Sequence, residues 1–263
     1  MLELKDPHKT FNPGTVNAKT ALDGLSLTLR DGEFVTVIGG NGAGKSTMLN
    51  AAAGTLSVDS GEVYLDGVDV TDLPEYKRAA YIGRVFQDPM MGTAPSMHIE
   101  ENLALAARRG QKRGLRWGIT KAERERYRAL LGDLGLGLET RLSSEVSTLS
   151  GGQRQALTLL MATLKSPKLL LDEHTAALDP KTAAKVMALT DRIVTREKLT
   201  TLMITHNMRD AIQYGSRLVM LHEGRVILDI SGEEKENLTV SDLLAQFARV
   251  SGDEFASDRA LLS

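Results

Sequence analysis

Cysteine is absent from this chain. That excludes disulfides and thiolate metal sites, and it fits a reducing compartment. No apolar stretch approaches the ~20 residues that a membrane-spanning helix needs, and the opening Met1–Thr10 has no apolar signal core. Neither charge dominates. With 32 basic and 34 acidic side chains the net charge is −2, which lacks the basic excess of a nucleic-acid binder. No internal repeat or low-complexity segment stands out. The expectation is a soluble, cytoplasmic protein, whose membrane role, if any, comes through a partner. At 263 residues and 42% hydrophobic, the chain can fill the core of one large domain, with or without an inserted lobe.

The hydrophobic period changes along the chain. The first third reads as β-rich: Leu25–Leu29 alternates, Phe34–Ile38 is a short apolar run, and Val63–Leu65 leads into an Asp66-Gly67 hairpin turn. Lys45–Ala53 reads as a helix closed by Gly54. From Pro95 to about Lys165 the spacing turns helical, over Ile99–Arg109, Lys121–Leu131 and Gln153–Leu164. Strands at Lys168–Leu171, Thr200–Thr205 and Leu218–Leu221 then alternate with helices at Lys181–Thr195 and Met208–Tyr214. Glu223-Gly224 turns the chain into Val226–Asp229, and Val240–Phe247 is an amphipathic helix expected to pack on the outside. Such alternation implies βαβ units and a mainly parallel sheet.

Two constellations carry chemistry. Gly39-Gly-Asn-Gly-Ala-Gly-Lys-Ser-Thr47 follows a strand run and opens a helix, the setting that makes a phosphate loop of this spacing. Gly39, Asn41, Gly42, Ala43 and Gly44 let the backbone wrap a phosphate with its N–H groups inward, at the positive end of the helix. Lys45 is suited to the β- and γ-phosphates, Ser46 to a magnesium ion and Thr47 to the α-phosphate. Downstream, Leu169-Leu-Leu171-Asp172-Glu173 puts two acids where an apolar strand stops. Neighbours on a strand point to opposite faces, so Asp172 can hold a metal-bound water while Glu173 orients or deprotonates the attacking water.

Together with Leu149-Ser-Gly-Gly-Gln153, these residues resemble the ATP-binding subunit of an ABC transporter, nearly end to end. The resemblance implies an α/β fold: a P-loop NTPase (RecA-like) core with a mainly parallel sheet, an N-terminal antiparallel β subdomain and an inserted α-helical subdomain. It puts the ATPase domain at residues 1–230, with the core at 1–94 and 166–230, the helical insert at 95–165, and a C-terminal helical tail at 231–263. It implies that Ser150, Gly151, Gly152 and Gln153 form a signature motif that reaches the γ-phosphate held by a second copy. ATP then closes the pair and hydrolysis opens it. Gln87 resembles the glutamine that senses magnesium and water while touching a permease. His206 resembles a switch histidine on the γ-phosphate, Asp179 belongs to a loop linking the two sites, and Phe11 stands where an aromatic ring meets adenine. The implied cofactors are ATP and Mg2+. The implied partners are a second copy, transmembrane permease subunits and an extracytoplasmic substrate-binding protein, with no nucleic acid. The implied location is the cytoplasmic side of the cell membrane, peripheral through the permease.

The resemblance implies a bacterial importer, similar to a branch linked with aromatic amino acids. An exporter or lipoprotein-extraction ATPase, or a soluble relative acting on nucleic acid or ribosomes, is the alternative. Three departures stand out. Only three leucines precede Asp172 where the family shows four apolar residues, so either a bulge or Lys168 makes up the strand. His174 replaces the usual proline and reads as a tolerated loop residue, with approach to the nucleotide as the alternative. About 30 residues follow the last strand pair, so a further regulatory domain is not expected. The basic run Arg108–Trp117 reads as a solvated loop or a contact to permease or anionic headgroups. Met90–Met97 reads as an adaptable surface where a permease helix docks.

Overall fold

The computed structural model describes residues 1–111 and 118–251. In chain order it contains β1 (Leu2–Phe11), β2 (Lys19–Asp23), β3 (Leu27–Leu29), β4 (Phe34–Gly39), α1 (Lys45–Ala53), β5 (Ser60–Leu65), β6 (Val68–Asp69) and α2 (Glu75–Arg78). There follow β7 (Ile82–Val85), α3 (Ile99–Ala107), α4 (Lys121–Gly132), α5 (Gly151–Thr163), β8 (Lys168–Asp172) and α6 (Pro180–Glu197). The last elements are β9 (Thr200–Ile204), α7 (Met208–Gln213), β10 (Arg217–His222), β11 (Arg225–Ser231), α8 (Glu233–Glu236) and α9 (Val240–Ser251). Two compact units result, one from Met1–Arg78 and the chain from Glu197 onward, the other from Ala79–Arg196.

In the first unit β1 organises an antiparallel sheet, pairing with β2 and β3 along one edge and with β5 along the other, while β6 pairs with β5. Asp66 and Gly67 both have positive φ, 52° and 78°, the turn that an Asp-Gly hairpin demands. A second sheet in this unit runs β11, β10, β4, β9, with β10–β4 and β4–β9 parallel and β11 an antiparallel edge. Every residue of β4 and β9 is buried, as expected of parallel strands covered on both faces. Helices α7 and α9 cover part of this sheet. Met208, Ala211, Leu243 and Phe247 join Ile38, Leu218, Met220 and Ile230 in one apolar cluster.

In the second unit β7 and β8 form a parallel pair in unbroken register, Ile82 opposite Lys168 through Val85 opposite Leu171. Lys168 is therefore the first residue of the strand, ahead of the three leucines, and it is buried. The short leucine run is completed by the lysine stem, with no bulge, so Asp172 keeps its alternation. A Cβ at Gly83 would fall 2.1 Å from Ala162 O, which is why α5 packs so closely on β7. Arg124 on α4 holds the Glu100 carboxylate of α3 with two bonds, at 2.7 and 3.0 Å. Asn102, also buried, accepts from Ala94 N and donates to Ala94 O, fixing the segment behind the methionine run while Met90 and Met91 stay exposed. Of the basic run, residues 112–117 lie outside the described residues. Arg108 and Arg109 are tied down, to Glu123 at 2.9 Å and to Met161 O at 2.8 Å.

Candidate nucleotide site

The phosphate loop of the first unit leaves β4 through backbone that only glycine tolerates. Gly39, Gly42 and Gly44 have φ of 154°, 76° and 99°. A Cβ at Gly39 would lie 2.3 Å from Leu221 O, and one at Gly44 2.3 Å from Ala21 O. Those two glycines let the loop press against β10 and β2. Helix α1 then starts with no side-chain cap and no acid in its first turn. Its positive end is left for an anion. Lys45 is buried, and its Nζ donates to Gly39 O at 2.7 Å and Gly40 O at 3.0 Å, inside the loop that it serves. Asn41, Gly42 and Ser46 are exposed, Thr47 is half-buried and Ala43 is buried.

Around this loop the same unit supplies three further candidates. Phe11 ends β1 with its ring 39% exposed, opposite Lys19 in β2. Lys19 was not singled out from the sequence, yet its Nζ would lie 2.5 Å from a Cβ built on Gly42. It brings a second ammonium to the loop, a contact that no local pattern announces. His206 follows β9, half-buried. The next residue, Asn207, caps α7 by accepting from Arg209 N and Asp210 N. Burial pushes the Asp210 carboxyl above the usual carboxylate range, while the nearby His206 works against that rise.

The second unit holds the acids. Asp172 closes β8, half-buried, with Arg84 Nη2 of β7 3.3 Å from its Oδ2. Arg84 also lies over the Phe86 ring at 4.6 Å, and Gln155 donates to Phe86 O at 3.2 Å, so the residue before exposed Gln87 is held from two sides. Glu173 has a φ of 44°, the left-handed region that a residue with a Cβ rarely enters. Its carbonyl accepts from Ala176 N at 2.9 Å, so the chain turns at once.

His174 departs from the expectation of a tolerated loop residue. It is 2% exposed, its Nε2 lies 3.0 Å from Thr190 Oγ1 on α6, and burial lowers its pKa to about 4. A sequence reading misses this because the partner lies 16 residues on, across a turn.

The signature segment begins α5. Ser150 is its N-cap: the hydroxyl accepts from Gln153 N while Ser150 N donates to Gln153 Oε1. With its oxygen so used, the hydroxyl still has its proton to donate. The two glycines differ. A Cβ at Gly152 would meet Thr182 Cγ2 of α6 at 2.2 Å, so packing within the chain forbids a side chain. At Gly151 a Cβ would meet only Leu178 Cδ2, at an ordinary 3.4 Å, and the residue is exposed. Asp179 accepts from Thr182 N at 3.1 Å at the start of α6. Hydrogen bonding from the Thr182 side chain, and then from its backbone, lowers the Asp179 pKa.

Comparison with known proteins gives the family. A family profile described as ABC transporter matches residues 22–176. The tyrosine transport ATP-binding protein of Clostridioides difficile (strain R20291) is 49% identical over 248 residues, covering 94% of this chain and 98% of that protein. The methionine import ATP-binding protein of Bartonella henselae is 35% identical over 231 residues, 86% of this chain but only 64% of that longer protein. Among solved structures, a dimeric ATP-binding cassette in a post-hydrolysis state, bound to ADP and Pi, matches with a TM-score of 0.74 at 32% identity. That match covers 88% of this chain and 98% of the other. Matched by the family profile over more than half its length, and by a relative of similar size nearly end to end, the chain belongs to the ABC transporter family, as an ATP-binding subunit that hydrolyses ATP to drive transport.

Proposed function

We propose that this subunit powers an importer and that the cargo is an aromatic amino acid. One observation carries both statements: the 49% identity to a tyrosine transport ATP-binding protein over almost the whole of either chain. Relatives named for methionine or for spermidine/putrescine import stand lower, at 35% and 33%. The alternative, a soluble relative acting on nucleic acid, is opposed by the net charge of −2.

The roles follow from the chemistry of each group. Backbone N–H groups of Gly39–Gly44 and the ammonium of Lys45 bind the phosphates, Thr47 the α-phosphate, and Phe11 the adenine ring. Ser46, Gln87 and Asp172 hold magnesium. They offer only oxygen to the ion, and the described residues contain no cluster of three His, Cys, Asp or Glu side chains that would cage a metal without the nucleotide. Magnesium, when bound, neutralises phosphate charge. Glu173 orients and deprotonates the attacking water, and His206 contacts the γ-phosphate. Ser150, Gly151, Gly152 and Gln153 serve the γ-phosphate of a second copy, with Asp179 linking the two sites. The dimeric state of the solved relative supports this pairing.

Partners on this reading are a second copy, permease subunits and an extracytoplasmic substrate-binding protein. The chain sits at the cytoplasmic side of the membrane through the permease. Among the described residues no helix is long and apolar enough to cross a membrane, which supports a peripheral attachment.

The test is reconstitution with the permease that copurifies with this subunit and its substrate-binding protein. ATP hydrolysis is expected to rise when the binding protein is loaded with tyrosine or phenylalanine. Stimulation by methionine or a polyamine instead would reject the cargo. In the same assay Glu173→Gln is expected to bind ATP, dimerise and lose hydrolysis by about a hundredfold or more; a normal rate would reject Glu173 as the base.

A further inference from the structure

The loop that leaves the carboxylate strand is held from behind by a side chain to which the family resemblance gives no role. Glu173 occupies a left-handed backbone conformation, φ 44°, and such a residue keeps it only where the surroundings over-determine it. The next side chain, His174, turns into the protein, 2% exposed, and its Nε2 lies 3.0 Å from Thr190 Oγ1. Thr190 is fully buried and donates its own hydroxyl to Val186 O at 2.9 Å. With that proton committed, the threonine oxygen accepts, so Nε2 of His174 is the donor. The bond therefore joins the turn beginning at Glu173 to the middle of α6, an eighteen-residue helix.

We propose that His174 is a positioning residue for hydrolysis: through Thr190 it fixes the backbone from which the Glu173 carboxylate is presented. The inference rests on Glu173 as the group that aims the attacking water. A proline at this site would hold its own φ but could make no side-chain bond, so a histidine there anchors the turn by another route. Without the bond the turn loses its anchor on α6, and the Glu173 carboxylate is no longer aimed as closely at the water. The phosphate loop, built from other residues, still binds ATP. The chemical step suffers and binding does not.

The test is steady-state ATP hydrolysis by the full-length chain carrying Thr190→Val, His174→Ala, both together, or Thr190→Ser, beside Glu173→Gln. Thr190→Val and His174→Ala are each expected to lower kcat about tenfold or more while KM for ATP stays within about twofold. The double variant should fall no further than the worse single one, because both remove the same bond. Thr190→Ser restores the hydroxyl and should restore the rate. Thr190→Val keeps nearly the same buried volume, so it carries the test if His174→Ala does not fold. A normal kcat in Thr190→Val, losses that add in the double variant, or a change confined to thermal stability overturns the proposal. Glu173→Gln separates the two claims. If it is inactive while Thr190→Val works normally, only the positioning role fails; if it is active, the base assignment fails and takes the positioning role with it.

Discussion

Burial gives His174 a measurable signature of its own. Its ring is withdrawn from water, and that burial holds its pKa near 4, against ~6.5 for an unfolded histidine. Between those values the unfolded chain takes up a proton that the folded chain refuses, so acidification favours unfolding. Above ~6.5 both states are neutral and the contribution vanishes. Nucleotide-free protein should therefore lose stability from about pH 6.5 down to about pH 4, by as much as about 1.4 kcal/mol per pH unit from this group. Urea denaturation of wild type and His174→Asn across that window checks it. The variant should show the shallower slope, and equal slopes would mean that the ring is already charged or hydrated. The candidate site divides at this scale by what fixes each residue. Lys45, Ser46, Asp172 and Ser150 can be named as candidates from the sequence because phosphate and magnesium accept few residue types. His174, Lys19 and Arg84 are not, since their meaning lies in contacts with Thr190, Gly42 and Asp172 that no local spacing encodes.

Helix α1 carries the phosphate loop at one end, and its other end is closed by Arg78. That guanidinium is 2% exposed and gives four hydrogen bonds, to Ala51 O and Ala52 O of α1 and to Leu73 O and Thr71 O. It neutralises the negative helix end and satisfies carbonyls that the last turn leaves over. Burial lowers the Arg78 pKa, yet a guanidinium keeps its charge. Arg78→Met keeps much of the apolar stem and removes every donor. Stability should drop by about 3 kcal/mol, read by thermal or chemical denaturation, because buried carbonyls are left unpaired. A loss under about 0.5 kcal/mol would show that water replaces the arginine.

Elements with chemical punctuation could be read from the sequence: α1 stops at Gly54, and α4 and α5 start at the capping boxes Thr120/Glu123 and Ser150/Gln153. Strand β1 was hidden because Asp6-Pro7 interrupts it. Asp6 has a φ of 49°, and the pairing with β5 shifts register between Lys5 and His8. Strand β7 was hidden by Gly83 and Arg84, residues chosen for α5 packing and for Asp172 rather than for alternation.

At the scale of the whole molecule the question is why a single chain carries both a phosphate loop and a signature segment. Gly152 is explained within the chain by Thr182, but Gly151 is exposed, and among the described residues a Cβ there would meet Leu178 at an ordinary distance. No contact among the described residues requires that glycine. On the function proposed above, close approach by a phosphate belonging to a second copy does. Gly151→Asp tests this, because the helix and the assembly respond in opposite directions. An acid in the first turn of α5 suits the helix dipole, so the folded monomer should keep its stability to within about 0.5 kcal/mol, or gain slightly. ATP should still bind the phosphate loop of the same chain. The new carboxylate, however, would face the γ-phosphate across the dimer. With Glu173→Gln as the background that accumulates the ATP-bound state, sedimentation should show dimers for Glu173→Gln and monomers once Gly151→Asp is added. In the otherwise native chain, hydrolysis should fall by about a hundredfold or more. If Gly151→Asp dimerised and turned over normally, each chain would complete its own site and the two-copy mechanism would fall.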